Sequence, residues 1–280
     1  MIPSPASELM ETIPSQSPNQ LHGWQQDQQP SHSPEAEHAV AALEETARSH
    51  RAVRHPYLTA IANGTLPNPA GALADFAKQY VGYSGHFPRY LTALISRLEN
   101  PSHRHALLAN LVEETGHYES ADLAKLRDFG IQAEWIVGVP HPELFRRFQQ
   151  AVNGAGDEGE NEQFEVVCWR EMLLAVLCMG SPAEAVGALG LGTESIVPAF
   201  YTPFLRAIER RGGLLPRDTV FFRLHTLVDD AHQATLRQIA ISHAVTEAGQ
   251  KDLARGMCKA LALRDSFWSW LHERAIRMIP

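Results

Sequence analysis

The sequence predicts an all-α fold, a single-domain bundle of about eight helices. Three observations carry that expectation. Apolar residues recur at spacings of three and four through most of the chain beyond residue 36. Ser33 followed by Pro34 and early acids is a strong helix-start signal where the first of those stretches begins. No run alternates polar and apolar positions with β-branched residues, as a half-buried strand would.

The elements follow in order. Of residues 1–36, eighteen are Pro, Ser or Gln. Such a composition buries too little apolar surface to offset the entropy of ordering, so the stretch reads as a disordered tail before a helical domain over 37–280. At its end SPEAEHAVAALEETARSH opens the first helix, with Ser33 as N-cap, Pro34 at the first helical position and early acids. HPYLTAIANGTLPNP makes a short helix stopped at Asn63-Gly64. Residues 70–98 carry Leu73, Phe76, Tyr80, Tyr83, Phe87, Leu91, Leu94 and Leu98 on one face, a long helix kinked at Pro88. Residues 102–128 continue as a helix, and HPELFRRFQQAV forms another after a Gly/Pro loop. Beyond the polar connector GAGDEGENE, four further helices cover 163–188, 195–211, 217–245 and 248–277.

The chain has 280 residues and a formal net charge of −8. That acidic balance argues against nucleic acid or an anionic membrane surface as partner. Three cysteines fit neither a disulfide framework nor a metal-finger spacing, and they suit a reducing cytoplasm. The longest apolar run, MLLAVLCMG, is about half the length of a membrane span. No secretory signal pattern opens the sequence, so a cytoplasmic protein is expected. The 14 histidines are the one unusual count.

Some of those histidines stand in a pattern with carboxylates. In FFRLHTLVDDAHQATLRQIA, His225, Asp229 and His232 fall at i, i+4 and i+7, one face of a helix. The outer pair is about 10 Å apart along the axis, too far for one ion and suitable for two adjacent ions. A solvated polar stripe would give the same spacing. In NLVEETGHYESADL, Glu114 and His117 have the Glu-x-x-His spacing of carboxylate-bridged dimetal bundles, and Glu113 is rotated about 100° away. An exposed acidic turn at a helix end is the plainer alternative. Glu194 follows the Gly-rich GALGLGTE with Thr193 as expected N-cap, and capping alone would explain an acid there. Together these segments supply three imidazoles and three carboxylates. Two divalent ions would leave their charge nearly balanced, and nitrogen and oxygen donors without thiolate suit iron or manganese.

HPYLTAIANGTLP, QYVGYSGHFPRYLTALISR, NLVEETGH, ALGLGTE and LHTLVDDAH, in that order, resemble the haem-oxygenase-like diiron oxidase and oxygenase family, relatives of the thiaminase-II and pyrroloquinoline-quinone-synthase helical fold. The resemblance spans residues 50–240, and His-x3-Asp-x2-His is its most specific part. It implies two Fe(II) ions with O2 as co-substrate, one iron on Glu114, His117 and His225, the other on Glu194, Asp229 and His232. Many members place the first histidine seven or more residues beyond the glutamate. His141 is therefore the alternative to His117 if residues 118–140 are an insertion.

The implied activity is O2-dependent oxidation of a small amino-acid-derived substrate in a biosynthetic pathway, by N-oxygenation, desaturation or carbon–carbon cleavage. A fatty-acid oxidase, a metal-free thiaminase-like or cofactorless oxidase, and a non-catalytic helical binding protein are the alternatives. A reductant or redox partner protein would supply further electrons, and a homodimer is compatible with the chain. Tyr80, Tyr83, His86, Arg170 and Arg223 are candidate substrate-binding residues. Trp169, Trp268 and Trp270 read as packing residues, and Cys168 and Cys178 as small buried hydrophobes.

Overall fold

Capping chemistry sets where the helices start. In the computed structural model, which describes residues 33–154, 162–227 and 229–279 (without the side chains of 227–231), every described element is helical. Ser33 Oγ accepts from the Ala36 N–H at 3.1 Å and Pro34 occupies the first turn of α1 (Pro34–Ser49). Residues 34–36 are thus helix rather than the end of a tail, whose residues 1–32 lie outside the described residues. His55 caps α2 (Pro56–Asn63) through Nδ1, which accepts from the Tyr57 N–H at 3.1 Å. Asn68 caps α3 (Pro69–Ser84) and Asn100 caps α5 (Pro101–Glu114), each just before a proline that has no N–H to satisfy.

Fourteen α-helical segments, two 3-10 turns and one π turn occur among the described residues, more than the eight expected. The excess comes from breaks inside stretches whose periodicity is unbroken. The 70–98 stretch divides at Gly85-His86, with Pro88 in the first turn of α4 (Phe87–Arg97) rather than at a kink. The 102–128 stretch divides after Glu114 into α5 and α6 (Ser120–Asp128), because Gly116 adopts φ +87°. A short α7 (Ala133–Ile136) leads to α8 (His141–Asn153). α9 (Phe164–Met179) and α10 (Pro182–Val186) part at Gly180-Ser181, where the Ser181 hydroxyl caps the second helix. The polar connector between α8 and α9 falls mostly on residues outside the description.

α10 runs into a π turn, Gly187–Leu191, then a 3-10 turn, Glu194–Ile196, then α11 (Val197–Arg211). The remaining helices are α12 (Val220–Leu227), α13 (Asp229–His243) and the long α14 (Glu247–Ile276). α14 packs directly on the π turn, and only glycine fits there. A Cβ at Gly187 would stand 2.1 Å from the Leu253 carbonyl oxygen.

The core is rich in aromatic rings. Phe76 stacks on Phe204 with centroids 3.7 Å apart, and Tyr83 on Trp169 at 3.8 Å. Trp268 is fully buried and stacks against Tyr57 and Tyr80. Each such ring contributes about 1.5–3 kcal/mol through burial, so α3, α9, α11 and α14 form a rigid frame. Trp169 and Trp268 are packing residues, as their spacing suggests, and Trp270 is half-buried against Phe267. Cys178 is exposed and Cys168 half-buried, which corrects their reading as buried hydrophobes. No helix is long and apolar enough to cross a membrane among the described residues.

Candidate metal centre

Three helix ends bring a carboxylate and two imidazoles together. Glu114 is the last residue of α5, His141 the first of α8, and His225 lies on α12. One donor atom from each falls within 4.8 Å of the other two. Glu114 Oε1 is 3.0 Å from His141 Nδ1, and the two imidazole rings meet edge to face with centroids 4.9 Å apart. Glu114 and His141 are buried and His225 half-buried.

The spacing between Glu114 and its histidine is a matter of chain path. Gly116 turns α5 outward, and the Gly138 N–H returns to donate to the Gly116 carbonyl at 2.8 Å. Residues 117–137 are an excursion closed at that neck, and the chain leaving it delivers His141 back beside Glu114. His117 does not reach the cluster. It is exposed, with Nδ1 bonded to Thr115 Oγ1 at 2.9 Å. The structure therefore pairs His141, not His117, with Glu114, because the left-handed Gly116 directs the following residues away from the bundle.

Each imidazole is oriented by a bond on its far nitrogen. His225 Nδ1–H donates to the Phe221 carbonyl at 2.7 Å, which leaves Nε2 with a lone pair. Tyr118 Oη bonds His141 Nε2 at 2.7 Å. His141 Nδ1 is buried without a hydrogen bond of acceptable geometry, although the Glu114 carboxylate lies so close. A buried imidazole nitrogen that faces a carboxylate and is not bonded to it suits a cation between them, with Tyr118 and the Phe221 carbonyl as outer partners.

The second group is only partly described. Glu194 is 6% exposed, in the 3-10 turn ahead of α11. Thr193 does not cap that turn, because its hydroxyl donates to the Ala188 carbonyl at 3.1 Å. Gln233 Nε2 donates to the Glu194 backbone carbonyl at 3.0 Å. His232 is buried on α13, and its Nε2 bonds Glu113 Oε2 at 2.9 Å. The sequence set Glu113 aside as rotated away; it is turned toward α13 and meets His232. The Asp229 side chain lies outside the described residues.

Electrostatics separate these groups. Burial pushes the Glu114 carboxyl up, but His141, His225 and His232 outweigh that and hold it below the ordinary range. Burial dominates at Glu194 and pushes it up to about 7, with Glu114 adding to the rise and His232 opposing it. Burial, helped by His141, lowers His225 to about 4, so its imidazole is neutral at pH 7. His232 is raised despite burial, by Glu113, Glu114 and Glu194.

A narrow cavity of about 30 Å³ adjoins the cluster, lined by Glu114, His141, His225 and Glu194 together with aromatic walls that include Tyr80, Tyr83 and Tyr201. Of the candidate substrate-binding residues, Tyr80 and Tyr83 line this cavity. His86, Arg170 and Arg223 do not line it. His86 bonds Arg89 at 3.0 Å, Arg170 pairs with Glu162 and with Glu171, and Arg223 donates to the Phe129 carbonyl at 2.7 Å. No cysteine lines it either. Arg264 of α14 does, and sequence reasoning missed it. Its signal was present: Met257, Leu261, Arg264, Trp268 and Leu271 follow one helical face, which puts an arginine at a core position.

The helical arrangement of the described residues is a haem-oxygenase-like fold. The chain spans 85% of itself and 90% of a Shewanella denitrificans domain of unknown function described with a heme oxygenase-like fold (TM-score 0.57, 15% identity). A CADD-like protein of unknown function from Nostoc punctiforme superposes with TM-score 0.68 at 16% identity, over 86% of this chain and 99% of that one. A TenA homologue from Pseudomonas syringae pv. tomato does so with TM-score 0.59 at 13% identity, over 86% and 92%. The chain belongs to the family described as iron-containing redox enzyme, whose profile matches residues 74–265. It is 26% identical over 182 residues to a 4-aminobenzoate synthase of Chlamydia muridarum, 64% of this chain and 68% of that one. A 4-aminobenzoate synthase of Chlamydia pneumoniae is 21% identical over 234 residues, 83% and 92% of the two chains.

Proposed function

We propose that this chain is an O2-dependent diiron oxidase or oxygenase that oxidises a small amino-acid-derived molecule by N-oxygenation, desaturation or carbon–carbon cleavage. The observation that carries the reading is the Glu114–His141–His225 cluster, one donor from each within 4.8 Å, opening on an aromatic-walled cavity. Family membership supports iron, and the relatives named 4-aminobenzoate synthase, after a small nitrogen-bearing product, support chemistry on small molecules of that kind.

In this reading Glu114, His141 and His225 hold one ferrous ion, and Glu194, Asp229 and His232 hold the other. When bound, the two ions supply electrons and open coordination positions for dioxygen. His141 coordinates through Nδ1, since Tyr118 occupies Nε2. His225 coordinates through Nε2, since Nδ1–H is committed to the Phe221 carbonyl. His232, with Nε2 on Glu113, keeps Nδ1 as donor. The Glu194 carboxyl, near pKa 7 without metal, gives up its proton as it takes iron. The buried tyrosine and phenylalanine walls exclude water from the reacting substrate.

Anaerobic titration with Fe(II) tests the assignment. Two equivalents should bind per chain, and admitting O2 should produce a transient visible absorption. His141→Ala and His225→Ala should each lose about one equivalent, while His117→Ala keeps both. Absence of bound iron, or a His141→Ala protein that still binds two, would defeat the reading.

A further inference from the structure

α14 carries a guanidinium into the interior of the bundle. Arg264 is 1% exposed. Its Nη2 donates to Tyr83 Oη at 3.2 Å, and Nε and Nη1 are buried with no hydrogen-bond partner among the described residues. No described carboxylate forms an ion pair with it within 4.0 Å. Aromatic faces hold it instead, with Cζ 4.2 Å from the Phe200 centroid, 5.2 Å from Trp169 and 5.4 Å from Tyr83.

Ring faces offset part of the cost of desolvating a cation, but they leave its N–H donors unspent. A buried charge with unspent donors is expensive unless something else arrives to pair it. Arg264 lines the same cavity as Glu114 and Glu194. If those two carboxylates are committed to iron, as in the reading above, neither is left to neutralise the guanidinium. The planar fork of arginine matches a carboxylate through two parallel hydrogen bonds. A phosphate would bring close to two negative charges against this single cation.

We propose that Arg264 anchors the carboxylate of the substrate, a flat aromatic or apolar acid whose body lies against Tyr80, Phe87, Tyr201 and Phe221. The word substrate rests on the iron reading; the anion site does not need the metal. Arg264 is the cation among the lining residues, so an uncharged amide of the same shape can accept through its one carbonyl oxygen but brings neither the second acceptor oxygen nor the charge that the guanidinium matches.

Benzoate and benzamide form a matched pair that differs in charge. Quenching of tryptophan emission in the full chain, both metal-free and Fe(II)-loaded, reports their binding, because Trp169 borders the guanidinium. Benzoate should bind at least about 10-fold tighter than benzamide in both forms, a charge-assisted bidentate contact being worth that or more. Arg264→Gln should erase the preference and Arg264→Lys should keep part of it, with Fe(II) stoichiometry unchanged in each. Equal affinities in the wild-type protein would overturn the proposal, whether or not any variant folds. So would a preference confined to the iron-loaded form, or one that survives in Arg264→Gln. A benzoate preference in a protein that binds no iron would leave the anion site standing and remove the iron reading. Iron binding without the preference would do the reverse.

Discussion

Tyr118 was invisible to motif reasoning, yet it holds the outer nitrogen of His141 at 2.7 Å. Removing such an outer partner typically weakens metal binding by about 10–100-fold. Tyr118→Phe should therefore lower Fe(II) affinity by about 10-fold while two equivalents still bind at saturation, read by anaerobic competition with a chelator. Glu194 sets a pH dependence. In the metal-free fold its carboxyl stays protonated up to about 7, whereas iron requires the ionised form. His232, raised as well, must also be neutral to coordinate, while His225, lowered to about 4, is neutral throughout this range. Proton release per Fe(II) bound should thus be larger at pH 6 than at pH 8, measured with an indicator dye in weak buffer. Equal release at both would contradict the Glu194 assignment. In the unliganded protein the same two shifts act oppositely on stability. The Glu194 contribution is lost as pH rises from 4.5 through 7, and that of His225 is lost as pH falls from 6.5 through 4.

At the scale of elements, the start of α1 was legible because proline beside a capping side chain is a local signal. Ser33-Pro34 begins α1, and the structure shows the same pairing, not read from the sequence, at His55-Pro56 and Asn68-Pro69. The breaks were less legible. Apolar spacing continues across Gly85-His86 and Gly116, since both flanking helices face the same core, and periodicity reports a face rather than a continuous axis. The choice of His117 over His141 failed for that reason: reading 102–128 as one helix kept i+3 neighbours together. Gly116 tests the argument. It has φ +87°, and an added Cβ would stand 2.5 Å from the Val139 nitrogen. Gly138 also has positive φ (+72°) but open space around it. Gly116→Ala should cost about 1–3 kcal/mol and displace His141, lowering iron stoichiometry. Gly138→Ala should cost only about 1–2 kcal/mol, the left-handed backbone strain, and keep both equivalents. Thermal melts and iron counting compare the two.

At the scale of the molecule, fold class and the Glu194 and His225 positions could be read from the sequence, because core periodicity and ligand chemistry are written in single residues. The pairings Glu113–His232 and Tyr118–His141, and the burial of Arg264, depend on how separate helices meet, which no local spacing encodes. One global consequence can be measured. The proposed donor residues come from α5, α8, α12, α13 and the turn before α11, so a ligand that binds them only in the fold stabilises the whole. Free Fe(II) at 100 times its dissociation constant should add about 2.7 kcal/mol for each of the two ions, or about 10–20 °C in Tm in all for a domain of this size. Chelator should reverse the gain. A further consequence follows from the Gly116–Gly138 neck. It makes the position of His141 independent of how many residues lie outside the neck, as a drawstring fixes the mouth of a bag whatever its contents.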